Sequence, residues 1–135
     1  MRHILVPISY GELLDKIAIL QIKSEQITCP TKLANIAKEL SSLEDVWAAQ
    51  AISDVDISAE RVSLKSINEQ LWDIEERLRI KEGKEEFDAD FIKLARRVYL
   101  TNDERARIKR VINLALGSLY IEEKSYPCYE HKIAP

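Results

Sequence analysis

Apolar residues return at intervals of three or four positions along most of this 135-residue chain, a pattern typical of amphipathic helices. The first run follows Ser9, which forms the S-x-x-E capping pattern of a helix start together with Glu12. Its apolar positions Leu13, Ile17 and Leu20 then follow steps of four and three. A helix is therefore predicted from about residue 10.

This first helix carries a second apolar stripe, formed by Ile19 and Ile22 beside Asp15. One neighbouring helix cannot cover both stripes, because they lie on different sides of the helix. We therefore expect the second stripe to be a surface for self-association. The predicted assembly is a homo-oligomer, most simply a dimer.

The same spacing of apolar residues predicts a second and a third helix. Pro30 suits the first turn of the second helix, which carries a seam up to Trp47. Only about three residues separate the first two helices, so they should form an antiparallel hairpin over residues 9–50. Residues 51–58 lose the period and indicate a connector, after which a third helix is predicted from about residue 59 to 82.

The C-terminal half predicts two shorter helices and a tail. Asp88 can cap a fourth helix, and Thr101 with Glu104 repeats the capping pattern and opens a fifth. The later helices thus occupy about residues 58–119, and residues 120–135 form an irregular tail that either docks through its tyrosines or frays. The sequence predicts one all-α domain over residues 1–135, a bundle of about five helices built on antiparallel hairpins.

Composition supports this fold and restricts the partners. Hydrophobic residues make up 46% and charged residues 32%, with only three Gly and four Pro, which favours helices. The net charge of -3 gives no pull toward nucleic acid or an anionic membrane, so neither is expected as a partner. The apolar run at the start is too short for a signal peptide or a membrane span, which predicts a cytoplasmic protein. Two isolated cysteines indicate neither a disulfide framework nor a zinc site.

Charge is unevenly distributed along the C-terminal half. Residues 69–90 hold nine acidic and four basic residues, whereas the two helices that follow are rich in arginine. One interpretation is that the acidic third helix pairs with these basic helices across a bundle interface. The other interpretation is a binding site for an anion.

The site interpretation uses polar side chains that recur on the same helix faces. Around the expected turn between helices four and five, free backbone N–H groups would join basic and amide side chains in an anion pocket. A polar stripe on helix three and the charges of helix one would meet this pocket. The candidate ligand-binding residues are Asp15, Lys16, Lys23, Asn68, Trp72, Glu75, Arg96, Tyr99, Asn102, Arg105, Lys109 and Asn113.

A metal site is the weaker alternative. Glu12 and Asp15 stand three positions apart on one helix, as do Asp73 and Glu76, and either pair could offer two carboxylates to Mg²⁺. The chain lacks the E-x-x-E and E-x-x-D motifs of helical nucleotide pyrophosphohydrolases, and Glu12 already serves as a cap. We therefore predict no metal and no cofactor.

Three passages resemble a bacterial and phage family, the domain of unknown function numbered 6165. They are VPISYGELLDKIAILQIK, INEQLWDIEERLR with FDADFIKLARRVYLTNDERARIKRVIN, and LGSLYIEEKSY. The resemblance covers nearly the whole chain apart from residues 44–62. It implies that the candidate polar residues other than Lys109, together with Asp103, Glu123 and Lys124, belong to a family pattern, from which Cys29 departs. It also implies a link with surface-polysaccharide metabolism.

Two classes of function follow, and the sequence does not decide whether the protein is an enzyme. The first is a helical interaction or accessory protein, in which the apolar seams and charge stripes serve packing and binding without catalysis. The alternative is a small enzyme or a binder of an anionic, phosphorylated metabolite such as a nucleotide sugar.

Overall fold

The computed structural model describes residues 2–50 and 55–129. Within these ranges the protein is all-α and contains no strand, as predicted. The four helices are α1 (Tyr10–Gln26), α2 (Pro30–Ala48), α3 (Ser58–Gly83) and α4 (Ala89–Ala115). Residues 51–54 of the predicted connector and residues 130–135 of the predicted tail lie outside the described residues.

The helix starts follow the capping signals in the sequence. The Ser9 hydroxyl accepts a hydrogen bond from the backbone N–H of Glu12 at 3.1 Å, which satisfies one of the free donors at the start of α1. Asp88 accepts in the same way from the N–H of Phe91 at 2.9 Å and opens α4. Pro30 occupies the first position of α2. Three of the four starts are thus locally encoded, by Ser9, Pro30 and Asp88.

The prediction of five helices is wrong, because the expected fourth and fifth helices are one helix, α4. Thr101, the expected cap, is buried in the middle of α4 and does not interrupt it. The positions Leu94, Val98, Thr101, Arg105, Ile108 and Ile112 step by four and three without a break. Because the seam keeps its phase, the inward face continues through Thr101, and the capping pattern there has no effect.

Helix α1 is the centre of the fold, since it contacts each of the other three helices. Its start meets the end of α2, where the rings of Tyr10 and Trp47 pack edge to face at 6.3 Å, so α1 and α2 run antiparallel. Contacts between Lys81 and Asp88 and between Asn68 and Arg105 show that α3 and α4 form a long antiparallel hairpin. Helix α1 packs across this hairpin and α2 packs on α1.

The hydrophobic core lies where α1 meets the hairpin. It consists of buried side chains from α1, α3, α4 and the residue before α3, namely Leu13, Leu14, Ile17, Ile57, Leu64, Ile67, Ile108 and Ile112. The second stripe of α1 joins the interior as well, because Ile22 is 2% exposed and Ile19 is half-buried. The interface expected on this stripe is therefore wrong, while the dimer itself stays a prediction.

The far part of the α3–α4 hairpin, residues 76–100, is built differently. It contributes nothing to the core cluster, and Leu94 is the one buried side chain within it. Ile80, Phe87 and Ile92 are each more than half exposed there. We call this part the distal hairpin. It consists of two helices whose apolar side chains are largely uncovered.

The tail does not fray but folds back along α4 as far as residue 129. The backbone N–H of Ser118 donates to the carbonyl of Asn113 at 2.8 Å, and Gly117 adopts a positive φ of 64°. These are the features of a Schellman motif, in which glycine tolerates the left-handed conformation that ends the helix. Farther on, Tyr129 donates to Asp103 and packs edge to face on Tyr99. The tail thus docks through a tyrosine.

Ion pairs do not join the two long helices in the way that their opposite charges suggested. Among the described residues, the ion pairs of α3 lie within that helix, as for Arg79 with Glu75 at 2.7 Å, at the hairpin turn, or toward α1, as for Lys65 with Glu25. No ion pair of the described residues links α3 to α4. No helix in the described ranges combines the length and apolar character that crossing a bilayer requires.

Two neighbouring residues test the position of the core. Ile112 is fully buried whereas Val111 is 39% exposed. We expect Ile112→Ala to lower the free energy of unfolding by about 2–5 kcal/mol, because it leaves a cavity. Val111→Ala should cost less than about 1 kcal/mol. Urea denaturation measures both, and equal losses would contradict the assigned inner face of α4.

Candidate functional site

Lys109 is the centre of a cluster of charges between α1, α4 and the tail. Its ammonium group lies 2.6 Å from a carboxylate oxygen of Glu12, 3.4 Å from Asp15 and 3.5 Å from Glu122. The Lys109 side chain is 11% exposed and that of Asp15 is 7% exposed. Three carboxylates therefore surround one buried cation, and α1 is held to α4 by charge as well as by packing.

The surroundings of Lys109 favour its charged form. Burial acts to lower the pKa of the ammonium group, but the hydrogen bond to Glu12 and the charges of Asp15, Glu12 and Glu122 outweigh it, so the pKa is raised. On the tail, the hydrogen bond from Lys124 is the main cause of a lowered pKa for Glu122, and Lys109 contributes to the same shift. Lys109 and Glu122 therefore stay ionised around neutral pH.

Asn68 of α3 links this cluster to Arg105. Its amide nitrogen donates to Asp15 at 2.8 Å and to the carbonyl of Leu64 at 3.0 Å, while its amide oxygen accepts from Arg105 at 2.9 Å. The amide nitrogen, a donor, therefore faces the carboxylate of Asp15, and the amide oxygen, an acceptor, faces the guanidinium of Arg105. Asn68 is buried, and it keeps the carboxylate of Asp15 and the guanidinium of Arg105 from touching.

Arg105 differs from Lys109 because its partners are neutral. One terminal nitrogen donates to Asn68 and the other to Asn102 at 2.8 Å. No carboxylate of the described residues lies within ion-pair distance of it. Arg105 is half-buried, so its charge is both partly desolvated and uncompensated by direct contact. A guanidinium in this state attracts carboxylate or phosphate.

Asn113 has a structural contact at the edge of the cluster. Its side-chain oxygen accepts from the backbone N–H of Gly11 at 2.7 Å, and it is 2% exposed. A Cβ atom on Gly11 would lie 2.7 Å from the carbonyl oxygen of Lys109 and 2.9 Å from the Asn113 oxygen. The start of α1 therefore approaches α4 as closely as a glycine allows.

Two recesses open on either side of Arg105 and Asn102. The tail recess, about 590 Å³, lies between α4 and the tail and is lined by charged and aromatic side chains that include Tyr99, Arg105, Lys109, Lys124, Tyr126 and Tyr129. The helix recess, about 300 Å³, lies between α1, α3 and α4 and is lined by Ile19, Ile22, Asn68, Leu71, Trp72, Glu75, Asn102 and Arg105. Both volumes fall in the range of small-molecule sites.

The structure brings together most of the residues selected from the sequence. Asp15, Asn68, Arg105 and Lys109 form the connected cluster that opposite charges on different helices suggested. Five more of the selected residues lie around this cluster, in the tail recess, in the helix recess or at the start of α1. They are Tyr99, Asn102, Trp72, Glu75 and Asn113.

Two of the other selected residues lie apart from the cluster, and the third, Lys16, lies at its edge. Lys16 is exposed and lies 3.7 Å from Glu12. Lys23 is on the last turn of α1 and Arg96 is exposed on α4, and neither forms an ion pair with a described residue. The expected turn with free N–H groups does not exist, because α4 is continuous there. Any anion would therefore be bound by side chains and not by a helix start.

Sequence reasoning missed the pairing of Glu12 with Lys109 and the tail residue Glu122. Glu12 was explained as a cap, yet its carboxylate binds Lys109 and lies near Lys16. The spacing of Glu12 and Asp15, one turn apart on the same helix, was the signal that could have assigned both to one cation. Glu122 had no comparable signal, because the tail has no periodicity.

The arrangement of carboxylates also bears on the metal alternative. Glu12 and Asp15 do converge on a cation, but that cation is the ammonium group of Lys109. Among residues 2–50 and 55–129, no group of three or more His, Cys, Asp and Glu is arranged to hold a metal ion. Both cysteines, Cys29 and Cys128, are exposed and unbridged.

These features define an all-α protein in which one central helix packs across a long hairpin and closes a buried cluster of charges. The chain belongs to the family described as "Family of unknown function (DUF6165)", which it matches over residues 4–134. This confirms the resemblance noted in the sequence. Neither the curated proteins nor the solved structures include a match to the chain.

The close approach of α1 and α4 can be tested with two glycines. Gly11→Ala should lower the free energy of unfolding by about 1–3 kcal/mol, since the added methyl group meets backbone that cannot move easily. Gly83→Ala is the matched control, because a Cβ there meets nothing within 4 Å. Denaturation of both variants measures the difference, and a tolerated Gly11→Ala would contradict the contact.

The charge cluster predicts a dependence on pH. The raised pKa of Lys109 means that its stabilisation is complete below the ordinary lysine value of 10.5 and is lost as pH rises through the higher folded value. Lys109→Met should cost about 3–5 kcal/mol near neutral pH, because buried Asp15 loses its cation. It should also flatten the loss of stability above pH 10.5. Thermal unfolding against pH measures both, and an unchanged alkaline slope would contradict the role of Lys109.

Proposed function

We propose that the protein binds a small anionic metabolite, with a phosphate or carboxylate group of the ligand held by Arg105. The observation that carries this proposal is the state of that guanidinium, which is half-buried, fixed by two neutral amides and without a carboxylate partner among the described residues. Lys109 cannot serve in the same way, because its own carboxylates already neutralise it.

The tail recess is the side of Arg105 that best suits such a ligand. Lys124 supplies a second cation at its edge, although it pairs with Glu122 at 2.7 Å. The rings of Tyr99, Tyr126 and Tyr129 add apolar surface that a base or a sugar could contact. These features support a phosphorylated metabolite, and a nucleotide sugar combines an anion, a planar base and a sugar ring.

Fixed amides make Arg105 a suitable recognition group. Asn68 and Asn102 accept from its two terminal nitrogens and thereby hold the plane of the guanidinium, while other N–H donors stay available. Less side-chain freedom is then lost when an anion binds. Whether the bound metabolite is also transformed is a separate matter, since the cluster offers charge and orientation but no evident nucleophile.

The proposal predicts a ligand-dependent rise in the melting temperature. A panel of phosphorylated metabolites that includes nucleotide sugars should contain a compound that stabilises the native protein, by about 2.7 kcal/mol at a concentration 100 times its dissociation constant. Arg105→Ala should lose most of this rise relative to its own ligand-free melting temperature. Differential scanning fluorimetry provides the measurement, and isothermal calorimetry checks the affinity.

Arg96→Ala is the matched control, because it removes the same charge from the exposed surface of the same helix. It should keep the full rise. The proposal fails if no anion stabilises the native protein, or if Arg105→Ala and Arg96→Ala respond to the ligand alike. Circular dichroism establishes that both variants retain their helices before the comparison.

A helical interaction or accessory role is the second candidate function. The observation that favours it is the distal hairpin, where Ile80, Phe87 and Ile92 are more than half exposed and only Leu94 is buried. Two helices with so little shared core are typical of a surface that a partner covers. A link with surface-polysaccharide metabolism remains a prediction of the family resemblance alone.

A further inference from the structure

A basic groove lies between the two helices of the distal hairpin. It encloses about 560 Å³ and is lined by five basic side chains but only two acidic ones, Glu86 and Asp90. The chain as a whole is acidic, with a net charge of -3. The groove is therefore a local reversal of the overall charge. Its basic side chains are Arg77, Lys81, Lys84, Lys93 and Arg97.

Most of this positive charge is not compensated inside the molecule. Lys84, Lys93 and Arg97 form no ion pair with any described residue. Lys81 and Arg77 are the exceptions, since Lys81 lies 3.0 Å from Asp88 at the hairpin turn and Arg77 lies 3.7 Å from Asp73 on α3. Like charges that line one groove repel one another, so an acidic partner in the groove would be favoured.

The opposite charge lies at the other end of α3, where α2 ends and α3 begins. Glu44, Asp45, Asp56 and Glu60 lie within about a turn of this junction, and none of them forms an ion pair with a described residue. We call these four residues the acidic pole. The nearby Arg61 is directed toward the ring of Trp47, 5.5 Å from its centroid. The acidic pole is thus exposed and uncompensated as well.

The groove and the acidic pole cannot meet within one molecule. Helix α3 has 26 residues and joins one to the other. A helix of that length extends roughly 39 Å at 1.5 Å per residue. Two copies placed side by side with their α3 helices antiparallel would instead bring each groove to the acidic pole of its partner. Such a pairing is reciprocal and closes as a two-fold dimer.

We propose that the basic groove of the distal hairpin docks the acidic pole of a second copy of this chain. This inference names the partner for the second candidate function, the interaction protein, and is independent of the anion site at Arg105. The exposed apolar side chains Ile80, Phe87 and Ile92 beside the groove and Val46 beside the acidic pole would then be covered in the dimer. This surface replaces the buried stripe of α1 as the predicted site of self-association.

The experiment uses complementary charge reversals in the full chain. One variant carries Lys93→Glu with Arg97→Glu in the groove, and the other carries Glu44→Lys with Asp45→Lys in the acidic pole. Each variant alone should be monomeric by sedimentation velocity, because the two reversals remove the net charge attraction between groove and pole. An equimolar mixture should form dimers again. The native dimer should weaken by roughly tenfold or more between low and high salt.

Arg107→Glu is the matched control, a charge reversal on α4 outside the groove, and it should dimerise like the native protein. The inference is overturned if the native protein stays monomeric at low salt. It is also overturned if either double reversal still forms dimers, or if the mixture of the two variants forms none. The salt dependence of the native dimer needs no variant, so a misfolded variant does not remove the test. Ligand-induced stabilisation should persist in the groove variant, which separates a failure here from a failure of the anion site.

Discussion

The pairing of Lys109 with carboxylates from α1 is the interaction on which the site depends. A charged aspartate inside a bundle is costly unless a cation and hydrogen bonds compensate it, and Asp15 receives both. The same contacts fix the position of α1 across the hairpin, since Asn68 and Lys109 come from different helices. Among the described residues, no buried polar side-chain atom lacks a hydrogen-bond partner. The cluster therefore supplies hydrogen-bond partners to the buried polar groups. Its remaining cation, Arg105, faces a recess.

Much of the fold could be predicted from the sequence because its determinants are local. Ser9, Pro30 and Asp88 mark helix starts through capping hydrogen bonds or backbone restriction, and these act over a few residues. The error at Thr101 has the same origin. A capping pattern allows a helix to start but does not require it. Where the inward-facing positions continue at steps of three and four, packing outweighs the cap and the helix continues.

The site could be predicted in part, for a different physical reason. Charged residues within apolar runs, such as Asp15, indicate burial. Because an unpaired buried charge costs free energy, a connection to Asn68 and Lys109 could be predicted. Which recess would open could not be inferred, because it depends on the crossing of α1 over the hairpin and on the path of the tail. Glu122 illustrates this limit, since its role arises only from the reversal of the chain at Gly117.

The long separation between partners in the cluster has a consequence for how the chain folds. Gly11 and Asn113 are 102 positions apart, and Glu12 and Lys109 are 97 apart. During synthesis α1 is made before α4, yet its Asp15 finds its cation only once Lys109 on α4 has been made. We therefore expect the docking of α1 against α4 to be a late, non-local event in folding.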